Sequence, residues 1–475
     1  MTSARGLPQA TGGQRRSYAL LAGTAVLAVA LGAVSLVVSW PVFAAVGLAA
    51  VIVVGIILRR LDLAVAVLAV GFFFNAYLAH GIGILTIDKV IGGLAVVAWG
   101  LDWVLNRRLV VTSRGLWVIC GFLLWGAVSL GVARNDIAAL VTSLRYVTFA
   151  TLYFLVLQTV RGDRRRADVL VRMVVLAAAV ASVIGLVAFF SHHVTRASGP
   201  ISDPNDFGFI LASSVPLAIY QVRWGASWWG KTLSSVALTL IIACTLATFS
   251  RSALAGLAVA SLWALATKRL QLRWVLAVGA CLAAVVGVAL LAKPQIVQSA
   301  LGQKAHVATA NVDIRLGYYR VELNEWRHYP ITGVGPGNFV YRFYQFAPAA
   351  GESLPFPSNV LTISGEEAYL VILAEQGAVG LALFLGYLAL SWADLRRRFP
   401  DDRRRDQLQG AMAAGFAVAC VGALFLAEQY YPPLWFLPAL GASMASRMSG
   451  TEADDQHEVA SARDNALTPA STSRR

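Results

Sequence analysis

Apolar runs of about 17–25 residues, the length a helix needs to cross hydrocarbon, recur along almost the whole chain and leave it few folds. They lie near 18–39, 41–58, 62–78, 89–105, 115–132, 137–160, 168–191, 206–222, 232–249, 253–267, 274–292, 367–391, 408–427 and 433–446. A backbone in lipid must satisfy its own amides, so runs of this length are helices. One large soluble core is excluded. Only 13% of the residues are charged, about half the roughly 25% usual in soluble domains, and mean hydropathy is +0.66. The fold expected is all-α: a polytopic transmembrane helical bundle of about 12–14 spans. The runs 41–58, 253–267 and 433–446 are short enough to be re-entrant.

The formal charge of +14 is placed as a topology signal. Arg15-Arg16, Arg59-Arg60, Arg107-Arg108, Arg161 with Arg164 to Arg166, Lys268-Arg269, Arg396 to Arg398 and Arg403 to Arg405 punctuate alternate gaps between runs. With the N-terminus inside, every cluster falls on the cytoplasmic face, as the positive-inside rule requires. No nucleic-acid partner is expected. The implied organisation is a cytoplasmic N-terminus over 1–17, a transmembrane bundle over 18–292 and a large exoplasmic loop over 293–366. C-terminal spans over 367–446 follow, then a cytoplasmic tail over 447–475 whose Ser, Ala, Asp and Thr content predicts disorder. Tyr18–Val38 follows a basic start as a signal peptide would. It exceeds a usual h-region and another run follows at once, so it is expected to be a retained helix. Cys120, Cys244, Cys281 and Cys420 all lie in apolar runs without a CxxC pair. They are expected to be small buried apolar residues, in neither a disulfide framework nor a zinc site.

The long polar interruption, Asp313–Gly380, is where a polytopic protein of this kind would hold its chemistry. Over 313–329, Leu316, Tyr319, Leu323 and Trp326 recur at helical spacing and predict an amphipathic helix with that stripe as its apolar face. Arg320 and Arg327 share another face, and Arg315 lies beside the start of the stripe. Pro330 ends the helix, and Gly333, Gly335, Pro336 and Gly337 force a tight turn. GVGPG lacks the Lys-Ser/Thr and the strand–helix context of a P-loop. It is expected to be a turn whose exposed amides could contact substrate.

Several polar residues stand where their cost demands a role. Arg145 is about eight residues, or about 12 Å, inside the run 137–160, where an arginine faces a cavity or snorkels to the interface. Arg251, in TFSRSALAG at the outer mouth of two helices, can hold an anionic head group, because its planar fork suits phosphate oxygens. An interfacial anchor is the alternative. In HHVTRASGPISDPNDFG, Asp203 or Asn205 can cap the helix that begins at Pro204, and Arg196 adds positive charge at the same surface. Glu366 and Glu367 stand at the outer start of a span beside Tyr369. They fit a helix-dipole role or a general base. Glu375, about 13 Å deeper, invites a salt bridge to an arginine.

Together SDPNDFG, TFSRSAL, RLGYYRVELNEWRHYPITGVGPGNF and EEAYLVILAEQGAVGL resemble the O-antigen ligase/O-antigen polymerase family of bacterial polysaccharide assembly, over roughly the C-terminal half. The resemblance implies a membrane glycosyltransferase in the bacterial cytoplasmic membrane, with an exoplasmic active face and both termini cytoplasmic. It implies a polyprenyl-diphosphate-linked glycan donor and a saccharide or lipid-glycan acceptor, with membrane lipids and polysaccharide export machinery as further partners. Neither metal nor other cofactor is implied. Ligases of the family place a His, followed by Asn, Ser or Gln, nine residues before a GxxG. Here Gly377 to Gly380 supply the glycines, and Glu366 and Glu367 occupy the other positions. A carboxylate can still accept a hydroxyl proton, more weakly unless desolvated. The departure points away from lipid-A-type ligation, toward polymerisation or another acceptor. The resemblance assigns catalysis to Glu366, or Glu367, with Arg251 and Arg315. It assigns substrate binding to Arg145, Arg196, Asn205, Arg320, Asn338 and Tyr369. A lipid-linked glycan flippase or other transporter is the rival reading.

Overall fold

A computed structural model describes residues 61–74, 81–82, 85–106, 109–191, 196–225, 227–269, 273, 279–280, 283–284, 287, 315–347, 365 and 367–446. The runs near 18–39 and 41–58, most of that near 274–292, Cys281, Glu366 and the tail over 447–475 lie outside the described residues. The described chain is helical apart from a short antiparallel hairpin, Gly81–Ile82 with Leu85–Thr86.

In chain order the helices are α1 (Leu61–Gly71), α2 (Ile87–Asn106), α3 (Arg114–Ser129), α4 (Asp136–Val160), α5 (Arg164–Ser191), α6 (Pro204–Trp224), α7 (Trp228–Ala247) and α8 (Arg251–Ala266). Then come α9 over 315–328, α10 (Phe339–Phe346), α11 (Ala368–Leu395), α12 (Arg403–Gly422) and α13 (Pro433–Ala445). Among the described residues, five stretches are long and apolar enough to cross a bilayer: Arg114–Val132, Asp136–Val160, Arg164–Ser191, Trp228–Ala247 and Ala368–Leu395. The chain is a multi-pass membrane protein. The run expected over 408–427 is shorter than its hydropathy suggests. Its helix stops at Gly422, and the chain turns through a 3-10 segment, Glu428–Tyr430, before α13.

The described arginine clusters gather at one end of the bundle. Arg404 reaches Asp168 at 2.9 Å, and Arg164 reaches Asp402 at 3.6 Å. Arg269 donates to the carbonyl of Arg396 at 2.6 Å. The loops that follow α4, α8 and α11 are thereby tied together. At the opposite end lie the starts of α6, α8 and α11 and the end of α12.

Sequence explains how α6 begins and why it sits so deep. Asp203 caps it, its Oδ1 accepting from the amides of Asn205 at 2.6 Å and Asp206 at 3.2 Å, and Pro204 needs no partner in the first turn. Phe207, Phe209, Leu211, Leu217 and Ala218 are all buried, so α6 is enclosed by α5, α7, α8 and α12. Gly208 permits the closest approach. A Cβ there would meet Thr248 Oγ1 at 2.6 Å and Ser250 Cβ at 2.9 Å. Of the cysteines, Cys244 is buried, Cys420 half-buried and Cys120 exposed. The expected burial therefore fails for Cys120, which stands on the outward face of α3.

Gly208→Ala should lower stability by about 1–3 kcal/mol, the range for overpacking. Gly93→Ala, whose added methyl meets nothing within 4 Å, should be neutral or slightly stabilising. Thermal unfolding in detergent separates the two; identical midpoints would show that the 208–248 contact is not tight.

Candidate active site

The turn between α7 and α8, at the end opposite the arginine clusters, is held in an unusual conformation. Phe249 adopts a left-handed φ of 51°. Ser250 then caps α8, its Oγ accepting from the Ala253 amide at 3.4 Å and lying 3.0 Å from Ser252 Oγ. Arg196 staples this turn to α6, donating from Nε to the Thr248 carbonyl at 2.8 Å and from Nη2 to Asn205 Oδ1 at 2.5 Å. Burial lowers the Arg196 guanidinium, with Asp203 opposing. Arg196 and Asn205, expected to bind substrate, are thus engaged with each other. Arg251 follows the turn and is exposed.

Antiparallel packing places Arg251 opposite the end of α12. A Cβ on Gly256 would lie 3.0 Å from Val418. Five residues further out on each helix are Arg251 and Ala423, at the same height. The Ala423 carbonyl accepts from the Ala368 amide at 3.0 Å, at the start of α11. Tyr369 donates its hydroxyl to the Cys420 carbonyl at 3.0 Å, a structural tie. Arg315, at the start of α9, donates from Nη1 to the Phe425 carbonyl at 3.1 Å. Residues 420–425 are therefore the meeting point of the Arg251, Arg315 and Glu367 elements.

Glu367 caps α11. Its Oε1 accepts from the Tyr369 amide at 3.1 Å and its Oε2 from the Leu370 amide at 2.5 Å. It is only 6% exposed. Burial outweighs those two bonds and pushes its carboxyl up to about 7. Glu366 lies outside the described residues.

The glycine turn 333–337 is docked into a break in α11. Gly377 has φ 69° and ψ −171°, which removes the helical bonds around it. The Ala374 carbonyl accepts instead from Val334 at 2.8 Å and the Glu375 carbonyl from Gly335 at 2.9 Å, while the Ala378 amide donates to Pro330 at 2.9 Å. Trp125 Nε1 takes the Gln376 carbonyl at 2.8 Å. The Glu375 carboxylate accepts from the amides of Gly337 and Phe339. The expectation of exposed amides is therefore corrected at these positions, because Val334, Gly335, Gly337 and Phe339 all spend theirs on α11. Asn338 is buried and holds the start of α4. Its Oδ1 accepts from the amides of Arg134 at 2.9 Å and Asn135 at 2.7 Å, and its Nδ2 donates to Pro336 at 3.0 Å.

The helix expected over 313–329 is present over 315–328, but its most buried face is not the predicted stripe. Leu316 is 46% exposed, while Tyr318, Val321, Glu322, Asn324 and Glu325 are buried. Tyr318 and Val321 pack on Phe339, Phe343 and Phe346 of α10. Of the predicted stripe only Leu316 is exposed; Tyr319, Leu323 and Trp326 are half-buried beside the face that packs on α10. The face toward protein carries the polar groups. Arg320 and Arg327 are exposed. Burial, then the neighbouring Glu375 and Glu322, drive the Glu325 carboxyl well above its usual range, with Arg342 opposing. Carboxyls this close cannot all ionise. Gly365 joins the group, since its Cβ position lies 3.4 Å from Glu322 Oε1. Arg145 lies 5.7 Å over the Tyr430 ring, and its charge acts on Glu375. The described contacts give this pair no salt bridge within the usual distance. Glu322, Glu325 and Arg342 were missed in the sequence; the i,i+3 spacing of the two glutamates beside Tyr318 and Val321 was their one visible sign.

The family model for O-antigen ligase matches residues 236–385, which run from α7 through α8, α9, the glycine turn and most of α11. That stretch is similar to the O-antigen ligase domain, a family that implies lipid-linked glycan substrates. No curated protein matches the sequence.

Two outcomes follow from this geometry. Gly377→Ala places a methyl 2.0 Å from the Ile331 carbonyl oxygen at a positive φ, so the glycine turn should undock. Proteolysis between α9 and α10 should then accelerate, whereas Gly386→Ala, with 4.0 Å of clearance, should cut as wild type does. Undistinguishable digestion of the two would refute the docking. Glu367 should also make stability fall with rising pH. Its unfolded pKa is about 4.3 and its folded value about 7, so between them the folded state holds the extra proton. The stability present below about 4.3 is lost as pH rises toward and through 7. Unfolding midpoints in detergent from pH 5 to 8 should carry this slope, and Glu367→Gln should flatten it.

Proposed function

We propose that this protein is a glycosyltransferase that polymerises or transfers polyprenyl-diphosphate-linked oligosaccharide at the outer face of a bacterial cytoplasmic membrane. One observation carries the reading. The arginine-bearing turn, the arginine-bearing helix and the glutamate-headed span converge on residues 420–425, and all three belong to the stretch matched by the family model. The sidedness follows from the arginine clusters, which gather at the far end and mark it as cytoplasmic.

In this mechanism Arg251 and Arg315 hold the diphosphate of the donor, with Arg145 and Arg320 as further cations on that side. Glu366 accepts the proton of the acceptor hydroxyl. The acceptor oxygen forms a bond to the anomeric carbon as the bond from that carbon to the diphosphate oxygen breaks. The electron pair leaves with the polyprenyl diphosphate, whose charge the guanidinium groups stabilise. Direct displacement inverts the anomeric centre. Glu367 serves as a positioning residue, fixing the first turn of α11 while its neighbour Glu366 meets the acceptor. A carboxylate base here favours polymerisation, or an acceptor other than lipid A.

Glu366→Gln and Arg251→Ala should each abolish polymer formation in cells while the protein stays in the membrane. Glu367→Gln, which keeps one accepting oxygen for the cap, should retain activity and lose about 0.5–2 kcal/mol of stability. Wild-type chain length in the first two variants would defeat the assignment. Purified protein should elongate lipid-linked glycan in detergent; movement of that lipid only across a sealed bilayer would identify a flippase instead.

A further inference from the structure

A second chemical environment lies at the arginine-rich end, remote from the convergence at residues 420–425. A cavity of about 440 Å³ runs between α6, α8 and α12, within the size range of ligand sites, about 300–1,000 Å³. Its walls are apolar, including Val215, Ile219, Leu257, Leu265 and Ala411. On α8, Leu254 and Leu262 of its lining are exposed, so it opens sideways to where lipid would stand. Its charged groups, Arg223 and Arg269, stand with Gln407 at the end where α6 finishes and α12 begins; Tyr220 and Ser261 are the other polar residues of the lining.

That end carries more positive charge than the protein neutralises. Arg223 donates from Nη1 to Gln407 Oε1 at 2.8 Å, and the like charges of Arg403 and Arg273 act on it. Arg269 is 7% exposed. Its Nη2 is taken by the carbonyls of Arg396 at 2.6 Å and Arg397 at 2.8 Å, and its guanidinium lies 5.6 Å over the Trp263 ring. Nη1 has no hydrogen-bond partner among the described residues. Arg398 and Asp406 are its charged neighbours, and Asp406 is itself held by Arg398 at 3.3 Å and by the Phe399 amide at 3.2 Å. A buried guanidinium with an unused donor, beside further arginines and above an apolar slot, suits a phosphate attached to a hydrocarbon chain.

We propose that this cavity binds an anionic phospholipid drawn from the leaflet at the arginine-rich end. Its acyl chain lies between α6, α8 and α12, and its phosphate lies on Arg269 and Arg223. The site is independent of the glycosyl-transfer reading, so either can fail alone.

Native mass spectrometry of the full chain, delipidated in detergent, tests it with phosphatidylglycerol, phosphatidylcholine and inorganic phosphate as probes. Wild-type protein should retain phosphatidylglycerol over phosphatidylcholine by about fivefold or more, the scale of one arginine near an anionic head group. Arg269→Gln should remove that preference. Ala258→Trp should block the slot from the exposed side of α8 while leaving every arginine in place, so it carries the test even if Arg269→Gln fails to fold. Glu366→Gln should retain lipid as wild type does. Equal retention of the two lipids, or undiminished retention by Ala258→Trp, would overturn the proposal. Displacement of the lipid by millimolar inorganic phosphate would also overturn it, transferring the site to a soluble anion.

Discussion

The break at Gly377 is the point on which the outer half of the protein depends. A helix interrupted within an apolar span exposes carbonyls and amides that hydrocarbon cannot satisfy, and such backbone persists only where other protein groups replace the lost bonds. Here the replacement is reciprocal. The carbonyls of Ala374 and Glu375 would ordinarily accept from Ala378 and Val379 four residues on; they accept from Val334 and Gly335, and the Ala378 amide turns to Pro330. Neither partner is complete alone. The glycine turn needs the broken span for its amides, and the span needs the turn for its carbonyls. The glycine turn that follows α9 is thus fixed to the bundle about 10 Å below the start of α11, at 1.5 Å per residue from Ala368.

This docking also explains how three glutamates come to lie together under an arginine-bearing helix. Glu375 is aimed at the turn by the amides of Gly337 and Phe339, and α9 lays Glu322 and Glu325 against the same region. Arg342 answers part of that charge, donating to the Val132 carbonyl at 2.9 Å and to Tyr329 at 2.8 Å. Its guanidinium lies 4.9 Å from the centre of the Tyr329 ring. Burial, then Glu375 and Glu322, raise the Glu325 carboxyl well above its usual range, which disfavours full ionisation of the group. The cations are distributed oppositely. Arg251 and Arg320 are exposed, where an incoming diphosphate can reach them.

The sequence disclosed the bundle because lipid imposes a length on every span, and that length is visible in hydropathy alone. It disclosed the cap at Asp203 and a carboxylate at the start of α11, Glu367, as well; the cap at Ser250 emerged only from the structure. It misled about α9 for a physical reason. Helical periodicity identifies an apolar stripe but not how far it is buried: Leu316 is exposed and the rest of the stripe half-buried, while Glu322 and Glu325 turn inward. It was silent about the role of Asn338, whose partners Arg134 and Asn135 are some two hundred residues away in the chain. The glycine turn was legible as a turn, but its destination was not, since the break that receives it is a single residue, Gly377, inside an otherwise regular apolar run.

The two ends of the bundle now present a common physical problem solved in different ways. At each, guanidinium groups gather beside apolar surface, where an amphiphile with a phosphate head would be held by both of its parts. At the outer end the arginines are spread over separate elements that meet at residues 420–425, and a carboxylate-headed span starts among them. That combination can bind a diphosphate and also receive a proton. At the arginine-rich end Arg223 and Arg269 share one slot, and the carboxylates described beside it are already engaged: Asp406 by Arg398 and the Phe399 amide, Asp168 by Tyr220 and Arg404. A site with cations and no available base can retain a phosphorylated lipid but has nothing with which to activate a nucleophile. On the proposed reading, chemistry belongs to the end where the glutamate-headed span starts, and the opposite end serves binding.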